Sequence, residues 1–208
     1  MGNSTLQVLV RLYYKGEKYE STHSGTGGDF HGQDETIKKE LAARILPHKG
    51  SRVLDVGTGF GKNVEFLSKL FPDDVKIWTI DPSEDTLENA KKVLREKNLG
   101  ASVTFVKGGA ENLPFEDGFF DLVVSVVVLH HLEALEAPIR EMVRVLKRSG
   151  KLILVDWSPE SHVLPFESRH RKEDFFEPEK VVSLIEKNGI PSPDLKEFQY
   201  WYLIEAVK

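Results

Sequence analysis

The chain has 208 residues, 40% hydrophobic and 29% charged, with a formal net charge of −5. That profile suits one globular domain that buries its own core, and it offers no electrostatic footprint for nucleic acid or an anionic membrane surface. The absence of cysteine excludes disulfides, thiolate metal ligands and cysteine nucleophiles, and fits a reducing cytosol.

Met1 to Val10 lacks the basic-then-apolar pattern of a signal peptide. Residues 1–34 read as an N-terminal extension, in which Tyr13, Tyr14 and Tyr19 precede Ser24-Gly25-Thr26-Gly27-Gly28-Asp29; the glycines disfavour a regular element there. A folded domain is expected over 35–208. Its first helix is Glu35 to Leu46, with Ile37, Leu41, Ile45 and Leu46 at helical spacing and Pro47 and Gly50 as terminators. Arg52 to Val56 is a short buried strand that runs into a glycine-rich turn. A helix from Asn63 to Phe71 is broken by Pro72, and a strand from Val75 to Ile80 is closed by Asp81-Pro82-Ser83. A helix from Glu84 to Lys97 ends at Asn98-Leu99-Gly100. Ser102 to Val106 is the third strand, and Phe120 to Val127 the fourth, nearly all apolar as a strand covered on both faces must be. Its apolar run, Leu122 to Leu129, is interrupted by Ser125 and is far too short to span a bilayer. Ala134 to Leu146 is a helix, Ser149-Gly150 a turn, Lys151 to Asp156 a strand, and Pro178 to Asn188 a helix ended by Gly189. Leu195 to Val207 reads as one or two terminal strands.

The alternation predicts an α/β fold, a doubly wound and mainly parallel sheet with helices on both faces. Ligands of such sheets bind beyond the carboxyl ends of the strands, where strand order reverses. The loops that matter therefore follow Val56, Ile80, Val106, Val127 and Val155.

The first of these is Gly57-Thr58-Gly59-Phe60-Gly61. Glycines allow a ligand close to the backbone, and the following helix points its amides at the loop. A dinucleotide turn requires glycine where Lys62 stands, and no Gly-Lys-Ser or Gly-Lys-Thr follows to make a P-loop. Asp81, at the end of the second strand, is placed to accept hydrogen bonds from both hydroxyls of a ribose. Ser83 or Asp85 remains to cap the next helix. A ribose is common to nicotinamide cofactors and S-adenosylmethionine, so these two positions leave both open.

The third loop reads Gly108-Gly109-Ala110-Glu111-Asn112-Leu113-Pro114-Phe115. Taken with Asp55 to Gly61, Asp81, the fourth strand Phe120-Asp121-Leu122-Val123-Val124-Ser125 and the following His130-His131-Leu132, it resembles the class I S-adenosylmethionine-dependent methyltransferases. The similarity is to their quinone-biosynthesis and small-molecule subgroup, and it runs in order from about Ile37 to Gly189. The resemblance implies a Rossmann-like, seven-stranded sheet with an antiparallel C-terminal strand, S-adenosylmethionine as cofactor and a small-molecule methyl acceptor. It implies that Asp55 lies near the methionine amino group and that Gly57, Thr58 and Gly59 lie against the methionine and ribose. Asp81 takes the ribose hydroxyls, Ala110 and Glu111 lie at the adenine, and Ser125 and Val126 lie beside the sulfonium. Phe60 or Pro82 adds apolar contact. One position departs from the pattern: Gly109 stands where the family carries an aspartate, which leaves adenine recognition to Glu111 or the Ala110 amide.

Methyl transfer from a sulfonium needs a base only when the acceptor loses a proton. His130, His131 and Asp156 are the candidate catalytic residues, because they follow the fourth and fifth strands. His31, His162 and His170 are further candidates, and Arg169 and Arg171 could cover an anionic acceptor. Residues 13–34 are expected to close over the cofactor as a lid. A nicotinamide-dependent oxidoreductase and a non-catalytic S-adenosylmethionine-binding protein are the competing readings. The protein is expected to be cytoplasmic, with no metal, no membrane partner and no nucleic acid.

Overall fold

The computed structural model describes residues 30–45, 48–100, 102–163 and 171–208, without the side chains of 30–34, 162 and 163. Residues 13–29 of the expected lid and the side chains of His31, His162, Arg169 and His170 lie outside the described residues, whereas the backbone of 30–34 belongs to the first helix. The elements, in chain order, are α1 (Phe30–Arg44), β1 (Arg52–Val56), α2 (Lys62–Leu70), β2 (Lys76–Asp81), α3 (Glu84–Glu96), β3 (Val103–Lys107), β4 (Phe120–Val126), α4 (Glu136–Val145), β5 (Leu146–Trp157), α5 (Pro178–Lys187), β6 (Asp194–Glu197) and β7 (Trp201–Val207). Short 3-10 turns occupy Leu129–His131, Pro159–Val163 and Lys172–Asp174.

The seven strands form one sheet in the order β3-β2-β1-β4-β5-β7-β6. Strands β1 to β5 pair in parallel, and β7 runs antiparallel to both β5 and β6. This is the doubly wound sheet expected, with the C-terminal strand reversed. Strand order reverses between β1 and β4. Side chains alternate across the sheet, and each face has its own core. On one face, Val53, Ile77, Val124 and Val155 pack against Ile37 and Leu41 of α1 and Val64 and Leu67 of α2. On the other, Leu54, Val123, Leu152 and Ile204 pack against Ile139 and Met142 of α4 and Val181 and Ile185 of α5. No helix among the described residues is long and apolar enough to cross a membrane.

Two boundaries differ from the sequence expectation by more than two residues. The first helix begins at Phe30 rather than Glu35 and runs through Gly32. One glycine costs a helix about 1 kcal/mol, and burial of Ile37, Leu41 and Ala42 outweighs it. The fifth strand begins at Leu146 rather than Lys151. Phe120 pairs with Leu146 and Leu122 with Lys151, so the Ser149-Gly150 irregularity is absorbed as a bulge, with Ser149 at φ +63°.

The connection between β3 and β4, which carries the third loop, is strapped to α4. Glu141 accepts the Leu113 amide at 3.0 Å. Arg144 donates to the carbonyls of Leu113 and Phe115, to Asp117 and to Glu141 at 2.7–3.0 Å. Removing Arg144 from this partly buried network takes a donor from the Leu113 and Phe115 carbonyls and leaves Glu141 without its cation. Arg144→Ala is expected to lower unfolding free energy by about 1–3 kcal/mol in urea titrations and to speed hydrogen exchange at the Leu113 amide.

Candidate active site

The loop after β1 lies on the carboxyl edge of the sheet, at the β1/β4 reversal. The amides of Gly57 and Thr58 bond to the Ile80 carbonyl at 2.9 and 3.2 Å, joining the ends of β1 and β2. Gly57 has φ +91°, and a Cβ built there would overlap Val128 Cγ2. Glycine is needed at this position for both reasons. A Cβ on Gly59 would meet nothing within 4 Å among the described residues, which leaves the backbone there open to a ligand. Phe60 is 87% exposed at the tip of the loop.

Beneath the loop sits Asp55, fully buried. Its carboxylate accepts from Asn63 and, at 2.7 Å, from the Thr79 hydroxyl. Thr79 in turn shares a 2.7 Å hydrogen bond with Thr58. Burial pushes the Asp55 carboxyl up to about 7; the Thr79 and Asn63 hydrogen bonds oppose that rise, and Asp81 adds to it.

Asp81 accepts from the amides of Gly59 at 3.1 Å and Ser83 at 3.0 Å. The cap on α3 is made by Ser83, whose hydroxyl accepts from the Thr86 amide, so the Asp81 carboxylate is not consumed in capping. Ala110 is buried and Glu111 exposed. A Cβ built on Gly109 would overlap Glu111 Oε2: the Glu111 carboxylate folds back into the space that a side chain at 109 would fill.

Ser125 and Val126 end β4. The Ser125 hydroxyl is fully buried and donates to the Val56 carbonyl at 3.2 Å, tying β4 to β1. Val126 is half-buried in the core of the α1 face. Asp156 is 1% exposed, and its carboxylate is held by four donors. These are the amides of Val128 (2.9 Å), Leu129 (2.5 Å) and Trp157 (2.7 Å), and His130 Nδ1 (2.6 Å). His130 is buried against Phe175 and His131, whereas His131 is exposed.

The fold thus brings Asp55, Gly57, Thr58, Gly59, Asp81, Pro82, Ala110, Glu111, Ser125, Val126, His130, His131 and Asp156 to one edge of the sheet. It divides them by what they touch. Gly59, Asp81, Glu111 and His131 face outward or are partly open. The polar side chains of Asp55, Thr58, Ser125 and Asp156 are spent on protein partners. Sequence reasoning missed Asn63 and Thr79. A polar residue in the first turn of a helix that opens on a strand end was the available signal for Asn63; Thr79, inside an otherwise apolar strand, carried a weaker one.

A methyltransferase-domain family profile matches residues 54–154. The ubiquinone/menaquinone biosynthesis C-methyltransferase of Shewanella sediminis is 33% identical over 113 residues, which is 54% of this chain and 45% of that protein. The chain therefore matches about half the length of such curated relatives. Among solved structures, an S-adenosylmethionine-dependent methyltransferase from Aquifex aeolicus superposes with TM-score 0.70 at 25% identity, covering 83% of this chain and 88% of that one. The [4+2]-cyclase SpnF superposes with TM-score 0.71 at 17% identity, covering 98% and 92%, and shares the fold. The stretch that carries the glycine loop, Asp81 and strands β1 to β5 is thus similar in sequence to methyltransferase domains, and the sheet order is that of an S-adenosylmethionine-dependent methyltransferase structure.

The buried Asp55 makes stability depend on pH. Its folded pKa of about 7 lies above the unfolded value of about 4, so the folded state holds the extra proton between these limits. Stability contributed by that proton is present at low pH and lost as pH rises through 7. Thermal melts of the ligand-free protein should show this loss, about 4 kcal/mol at full extent. Asp55→Asn should flatten the dependence over this window.

Proposed function

We propose that this chain transfers a methyl group from S-adenosylmethionine to a small-molecule acceptor held beyond the carboxyl ends of β4 and β5. The observation that carries the reading is the open backbone at Gly59 beside an Asp81 carboxylate that the Gly59 amide itself orients. When bound, S-adenosylmethionine supplies a methyl group on a positively charged sulfur, which leaves by in-line displacement.

The chain's own residues bind and orient. Asp81 accepts the two ribose hydroxyls, and Gly57 and Gly59 let the ligand lie on the backbone. Glu111 accepts the adenine amino group while the Ala110 amide donates to the ring, so Glu111 takes over the task of the aspartate that Gly109 replaces. Asp55 acts from below through Asn63 and Thr79, and a cationic ligand overhead would favour its charged form over its protonated one. On the acceptor side, the Ser158 and Ser161 hydroxyls are buried with no hydrogen-bond partner among the described residues. Buried hydroxyls cost free energy until paired, so these two are suited to hold a hydroxyl or carbonyl of a neutral acceptor. His131 is the exposed candidate for taking up an acceptor proton.

Calorimetric titration with S-adenosylhomocysteine and with NAD tests the cofactor. Binding of the first and none of the second is expected, and Asp81→Ala should weaken it at least tenfold. Absence of S-adenosylhomocysteine binding would sink the proposal. Labelled methyl transfer into a metabolite extract then separates a transferase from another chemistry on the same fold. Glu111→Ala should weaken S-adenosylhomocysteine several-fold, and adding Gly109→Asp should recover part of the loss; an unchanged affinity in Glu111→Ala would remove Glu111 from adenine recognition.

A further inference from the structure

Val127 has φ +59°. A β-branched residue in the left-handed region is a genuine outlier, because its branched side chain crowds the backbone there. It directly follows β4 on the ligand edge, and its neighbour Val128 is the residue whose side chain lies against Gly57 Cα. Something must hold this turn. The Val127 amide bonds to the Val155 carbonyl at 2.8 Å, and the next two amides, of Val128 and Leu129, both converge on Asp156 Oδ2. Its other oxygen takes His130 Nδ1 and the Trp157 amide. A carboxylate is an acceptor at both oxygens, and this one has a donor pair on each.

We propose that Asp156 is a positioning residue for the cofactor loop. It fastens the left-handed turn at Val127 and so presses Val128 onto Gly57, which sets the height of the Gly57–Gly59 backbone beneath the ligand. In the sequence Asp156 looked like an acceptor ligand or base. The four donors leave it the role of a clamp between β5, β4 and the β1 loop. The His130 ring takes part as a donor, with its proton on Nδ1 because the carboxylate accepts there.

The effect on cofactor affinity rests on the function proposed above; the strain and the clamp do not. Asn at 156 keeps one acceptor oxygen for the Val128 and Leu129 amides but turns an NH2 group toward His130 Nδ1 and the Trp157 amide. The expected results are a switch of the His130 ring proton from Nδ1 to Nε2, read from ring 15N shifts, and S-adenosylhomocysteine affinity reduced at least tenfold. Glycine adopts φ +59° without strain, so Val127→Gly added to Asp156→Asn should recover a large part of that affinity. A double variant as weak as Asp156→Asn, or an Asp156→Asn protein that binds like the parent, would overturn the proposal. A parent protein that binds no S-adenosylhomocysteine would instead overturn the cofactor reading.

Should Asp156→Asn fail to fold, the strain is measured in the intact clamp. Val127→Ala and Val127→Gly lose nearly the same packing, but only alanine keeps the strained backbone. The glycine variant should therefore melt higher than the alanine variant, the reverse of the usual order. The usual order would overturn the clamp.

Discussion

The parallel pairing of β1 with β4 is the constraint from which the site follows. Strand order reverses there, so the chain leaves β1 toward α2 on one face and leaves β4 toward α4 on the other. The two departing segments diverge and open a crevice at the carboxyl edge. Their ends are joined below the crevice by Ser125 Oγ to the Val56 carbonyl and across it by Val128 against Gly57. The β2 end is drawn to the same point by the Ile80 carbonyl, which receives two loop amides.

Two features that burden the fold lie at this junction: a buried carboxyl at Asp55 and a left-handed Val127. Burial of charge and backbone strain tend to gather where a ligand must be met. Here both are held by surroundings of high order. Asp55 is framed by Asn63 and Thr79, Val127 by Val155 and Asp156, and the sheet carrying them is covered on both faces by packed helices. The third loop is held by the Glu141 and Arg144 strap on α4 and by the Gly108 amide, which bonds to the Asp81 carbonyl at 3.1 Å.

The sequence made much of this legible. Strand and helix periodicities located the elements within a few residues, because a run such as Phe120 to Val126 or the stripe Val64, Phe66, Leu67 records its own burial. The glycine loop, Asp81 and the Ser83 cap were readable for the same local reason. Less legible were the start of α1, where one glycine was weighted above the tertiary burial of Ile37 and Leu41, and the start of β5, where a bulge looked like a turn. Asp156 was readable as a polar residue at the right strand end, yet not as a clamp, since its donors come from residues 27 and 28 positions earlier as well as from its neighbour and His130.

By itself, then, the amino-acid order determined the fold class, the succession of loops along one sheet edge and the candidates on them, because propensity, periodicity and turn chemistry act over a few neighbouring residues. The tertiary structure decided which candidates are open to a ligand. Thr58 is taken by Thr79 from β2, Ser125 by Val56 from β1, and Asp156 by the turn after β4, while Gly59 and Asp81 remain at the surface and Glu111 folds into the space over Gly109. The physical reason is that a buried polar group must find a partner, and the partners available in this fold are distant in sequence and meet only when the sheet is assembled.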